Sequence, residues 1–99
     1  MAEMEAEISS HVPLFRTHSI GSEAIAAGET RTITYTIPSI TGYTPYVTSV
    51  HIPDTSNVNY AKVFIVWHQS GTTLSAHVFN TATAQVAPSP RVECLYLPV

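Results

Sequence analysis

Apolar and polar residues alternate with a period of two along most of this chain, as in half-buried β-strands, and the stretch from Tyr60 to Asn80 carries the strongest pattern. Here YAKVFIVWHQSGTTLSAHVFN predicts a long β-hairpin. Val63 to Trp67 are all β-branched or aromatic, and Trp67 within that run reads as core. The run ends at Gln69-Ser70-Gly71-Thr72, where glycine supplies the positive φ of a tight turn. The return arm alternates Leu74, Ala76 and Val78 with Thr73, Ser75 and His77.

The remaining strands follow from the same period. TRTITYTI turns Ile33, Tyr35 and Ile37 inward and Thr30, Thr32, Thr34 and Thr36 outward. Leu14 to Ile20 is a first strand of mixed pattern, suited to a sheet edge, and Pro13 bars a helix from running into it. Tyr46 to Ile52 opens after Pro45 and sets Tyr46, Thr48, Val50 and Ile52 against Val47, Ser49 and His51. Arg91 to Leu97 alternates Val92, Cys94 and Tyr96 with Arg91, Glu93, Leu95 and Leu97. A short strand is expected at Gln85 to Ala87, inside a connection broken by Pro88 and Pro90.

Six strands spaced by about ten residues predict an all-β fold, an antiparallel β-sandwich or a jelly-roll-like module over residues 13–99. Residues 1–12 form a short helical or disordered segment before it. Met1, Met4 and Ile8 have heptad spacing, but a helix shorter than about 12 to 15 residues does not hold alone. That segment is therefore either a frayed end or a coiled-coil stub ordered by other copies. If consecutive strands pair up and down, residues 38–44 and the 70–71 turn share one end, and residues 53–59 and 80–90 share the other. A Greek-key crossover would change the pairing.

Composition narrows the function. Charged residues make up only 11% of the 99 against 44% hydrophobic, where roughly a quarter charged is usual, so Thr, Ser and Asn must cover the exterior. So sparse a charge predicts that part of the surface is an interface. Four Lys and Arg against seven Asp and Glu give a net charge of -3, which offers phosphates no basic footprint and argues against nucleic acid. Cys94 is the only cysteine and sits in an apolar alternation, as a buried small hydrophobe does. The start, MAEMEAEISS, is acidic where a secretory leader is basic, and no apolar run reaches the roughly 18 to 20 residues of a membrane span. The expectation is a chain made in the cytosol, without a cleaved leader or membrane insertion.

Candidate chemistry is sparse. With Ser70-Gly71 as the hairpin turn, Phe64 opposes His77 and His68 opposes Thr73, which separates the two imidazoles by about 13 Å and excludes a shared metal within one chain. No nucleophile elbow, paired carboxylates or glycine-rich phosphate loop occurs, so no catalytic residue, cofactor or metal is expected and the chain reads as a non-enzyme. One constellation could contact a sugar: Asp54, Asn57, Asn59 and Tyr60 border one loop, with Asn80 and Gln85 on the neighbouring one. Turn formation accounts for Asp and Asn in both loops more readily than ligand contact does.

Two stretches, AAGETRTITYTIPSITGYTPY and VFIVWHQSGTTLSAHVFNTATAQV, resemble modules of bacteriophage virion proteins, the small all-β domains at the tips of tail fibres, receptor-binding proteins and head fibres. The resemblance spans Gly28 to Tyr96. It implies a β-sandwich that assembles with itself, with a trimer favoured, beside other virion proteins, and that contacts the host surface. The chain departs from the pattern at His68, His77 and Pro88-Ser89-Pro90. An H-type lectin is similar in general layout, and a carbohydrate-binding domain for a host surface glycan is the alternative function.

Overall fold

A computed structural model describes residues 12–53 and 58–99. The expected segment at residues 1–12 therefore lies outside the described residues, apart from Val12. Six strands form: β1 (Leu14–Ser19), β2 (Thr30–Thr36), β3 (Tyr43–His51), β4 (Val63–Ser70), β5 (Thr73–Asn80) and β6 (Arg91–Pro98). A single 3₁₀ turn at Tyr60–Lys62 leads into β4.

The strands build two antiparallel three-stranded sheets, β1-β6-β3 and β2-β5-β4, so the fold is the all-β sandwich that the alternation predicts. Only β4 and β5 are both consecutive and paired. Every other connection crosses between sheets, which corrects the up-and-down pairing. Strand direction still reverses at each connection, so the loops fall at the expected ends. One end holds residues 37–42 and the β4–β5 turn, joined where the Ile37 N–H donates to Thr72 O at 2.8 Å. The other holds residues 20–29, 58–62 and 81–90.

The inward set of β5, Leu74, Ala76 and Val78, packs with Ile33 and Ile37 against Val92, Cys94 and Tyr96 of β6 and Val47 and Val50 of β3. Trp67 lies half-buried against this cluster. Ile25 and Val86 close the loop end through a single antiparallel bridge, all that forms of the strand expected at Gln85 to Ala87. The alternation read across Tyr46 to Ile52 also fails. A β-bulge between Val47 and Ser49 inserts Thr48 as an extra residue, so Val47 and Val50 both point inward while Tyr46 and Thr48 are exposed.

Candidate functional site

The hairpin loop is Gly71-Thr72, because Ser70 pairs with Thr73 and Gly71 takes φ of 59°, the geometry of a turn with glycine at its first central position. This moves the register by one residue on each arm from the expected turn. His77 now opposes Val66 and His68 opposes Ser75, so the two imidazoles occupy diagonal positions on one face, about 7 to 8 Å apart at the backbone instead of about 13 Å. His77 Nδ1 shares a hydrogen bond with Thr32 Oγ1 at 2.9 Å. Among the described residues no three His, Cys, Asp or Glu side chains gather to hold a metal.

The sugar constellation is dispersed. Asp54 and Asn57 lie outside the described residues. The carbonyl of Asn59 accepts the Lys62 N–H and so opens the 3₁₀ turn. Tyr60 is half-buried and lines a groove of about 280 Å³ together with Val50, His51, Ile52 and Val63–Ile65. Gln85 is exposed. Asn80 is only 2% exposed. Its Nδ2 donates to Ile25 O, Ala26 O and Ala84 O at 3.0 to 3.1 Å, and its Oδ1 accepts the Ala82 N–H. It is an internal strut tying three loop segments together, with its polar atoms committed to the chain's own backbone. The two loops do meet, since Thr81 donates from both its N–H and its hydroxyl to Lys62 O.

The buried polar row on the inner side of the sandwich is occupied in the same way. Tyr96 donates its hydroxyl to Pro38 O at 2.6 Å, which leaves the oxygen to accept from His18 Nε2–H at 3.2 Å. Burial pushes the Tyr96 phenol up, with Cys94 and Tyr35 adding to it and Arg16 opposing. Burial likewise raises the Cys94 thiol, and raises Tyr35 with a smaller contribution from Cys94. A thiol 1% exposed and raised in this way stays protonated, the reverse of an activated nucleophile.

The outer faces carry further features, of which the alternation shows only the apolar second set at the end of β6, Leu95 and Leu97. On β2-β5-β4, Thr30, Thr32, Thr34 and Thr36 lie beside Thr73, Ser75, His77 and Phe79, and these beside Phe64, Val66, His68 and Ser70. None is Asp, Glu, Lys or Arg. Phe64 and Val66 are 59% and 60% exposed, and Phe64 directly opposes the exposed Phe79. On β1-β6-β3, the register lines up Phe15, Leu95 and Tyr46 across all three strands, with Phe15 73% exposed and Leu97 next along β6. The signal for both was present: β4 and the end of β6 are apolar on both alternating sets, more than a two-layer fold can cover.

Comparison of the chain with protein-family models, with curated proteins and with solved structures gave no match. No described helix is long and apolar enough to cross a membrane.

Proposed function

We propose that this chain is a non-enzymatic structural module that assembles with copies of itself. We also propose, from the resemblance of Gly28 to Tyr96 to phage virion modules, that it serves on a virion as a fibre-tip or decoration unit. The observation that carries the first part is the outer face of β2-β5-β4. Three strands of outward side chains without one formal charge, and with Phe64, Val66 and Phe79 exposed together, make an unusual solvent surface and an ordinary buried one. The Phe15–Leu95–Tyr46 row adds a second apolar strip on the opposite side.

Light scattering on the purified chain at micromolar concentration tests this directly. The expected mass is a whole multiple, greater than one, of the 10.8 kDa protomer. A protomer mass throughout the series contradicts it. Contact with a host glycan is the second reading, favoured by one observation, the Tyr60 ring on the solvent-facing groove. It predicts that Tyr60→Ala lowers binding on a glycan array; equal signals from the variant and the parent, or no signal from either, reject it.

A further inference from the structure

The four sheet edges are not equivalent. Among the described residues β1, β2, β3 and β4 each pair on one side only. Natural sheets protect such edges with inward-pointing charges, proline, bulges or short length. β1 has six residues and carries Arg16 in its inward set, opposite Cys94. β2 carries Arg31 in its inward set, ion-paired to Glu23 at 3.2 Å and Glu29 at 3.1 Å. β3 carries Pro45 and the bulge, and two of its edge groups are already bonded: Gln69 Oε1 accepts the Val47 N–H and Gln69 Nε2 donates to Pro45 O, both at 2.8 Å. β4 has eight residues, an unbroken register, and no Pro, Gly, Lys, Arg, Asp or Glu.

Its open backbone groups can be identified. Asn80 uses both its N–H and its C=O on the β2 side, with Glu29 and Gly28, so its pair with Val63 is not hydrogen-bonded. Pairs alternate along an antiparallel ladder, so the N–H and C=O groups of Ile65, Trp67 and Gln69 and the C=O of Val63 point away from β5, toward the open edge, while the Val63 N–H donates to Tyr60 O. The groove reaches the same edge. Its lining includes the consecutive residues Val63, Phe64 and Ile65, and successive strand residues face opposite sides, so the groove abuts the rim of β4 and not one face of it.

We propose that β4 docks against β4 of a second copy, antiparallel about a two-fold axis at Val66, joining two sheets into one of six strands. The proposal rests on the self-assembly reading and names its contact. Centring on Val66 sets Val63 opposite Gln69 of the second copy and Ile65 opposite its Trp67, so both groups of Ile65 and Trp67 meet partners and the Val63 C=O meets the Gln69 N–H. Phe64 then opposes His68 of the second copy and Val66 opposes itself. In this antiparallel pairing only the residue on the axis faces its own copy, and a strand without formal charges brings no like-charge pair to the seam. The exposed Phe64 and Phe79 of one copy continue across the seam toward those of the other. A seam about 27 Å long belongs to the smaller class of interfaces, so the association depends on concentration.

Val66→Cys is the test. Directly opposed residues of a non-hydrogen-bonded pair bring their Cβ atoms to about 4.5 to 5.5 Å, near disulfide reach, while the native Cys94 is buried. Mild oxidation of this variant yields a covalent dimer, and Phe15→Cys on the other sheet does not. Val66→Lys loses the doubled mass, because two cations then face each other. The double variant Phe64→Lys, His68→Glu keeps it, because each new cation faces a new anion. A trimeric parent, an assembly that survives Val66→Lys, or cross-linking through Phe15→Cys in place of Val66→Cys overturns the β4 contact and leaves self-assembly standing. A protomer mass for the parent at every concentration removes both.

Discussion

At the scale of single residues, this fold spends its few buried polar atoms on its own backbone. Asn80 shows it most clearly, one amide joining the 25–26, 80–82 and 84 segments at the loop end. Removing it leaves buried carbonyls unpaired, each of which costs about 1 to 3 kcal/mol. Asn80→Ala is expected to lower unfolding stability by about 3 kcal/mol in urea titrations, several times the cost of Gln85→Ala on the exposed loop. The buried acids predict an alkaline limit. Cys94, Tyr35 and Tyr96 all have raised pKa values, so the folded state holds these protons more tightly than the unfolded chain does. The stability these three groups contribute is then fully present below the ordinary thiol value of about 8.5 and is lost as pH rises past it and past the phenol value of about 10. Urea midpoints across that range measure the fall, and Cys94→Ala moves its onset up to the phenol range.

At the scale of elements, legibility follows the distance over which each signal acts. β2 and β5 were readable because period-two alternation is local and unbroken in both. β3 was not, because one extra residue at Thr48 exchanges the faces of everything beyond it, and nothing in YTPYVTSVH marks where the bulge falls. The hairpin was found, yet its register slipped by one position on each arm, since both Ser70-Gly71 and Gly71-Thr72 contain the glycine that the turn needs; the imidazole separation changed with it. Sheet partners were unreadable for a different reason: β6 sits between β1 and β3, pairings set by tertiary packing that no window of sequence contains. The candidate loops were placed at the correct end, but Asn80 read as a turn residue and proved internal. Gln69 gave no sequence signal at all. It ties β4 to β3 across the sandwich, so Gln69→Leu leaves the Val47 N–H and Pro45 C=O without partners. A loss of about 2 kcal/mol by chemical denaturation is expected.

At the scale of the whole molecule, two sheets of three strands leave four edges and two outer faces for a chain of 99 residues to manage. Among the described residues three edges carry guards and one does not, and that edge borders the face without charge. A domain this small buries only about 60 to 70% of its unfolded surface, so covering Phe64, Val66 and the open groups of β4 with a second copy adds stability that the protomer lacks. Amide hydrogen exchange, followed residue by residue in a dilute and a concentrated sample, tests that account most directly. Phe64, Val66 and His68, bonded to β5 within one chain, are predicted to be protected at both concentrations, while Ile65 and Trp67 gain protection only as the sample is concentrated. Ile65 and Trp67 exchanging at the same rate in both samples would contradict it.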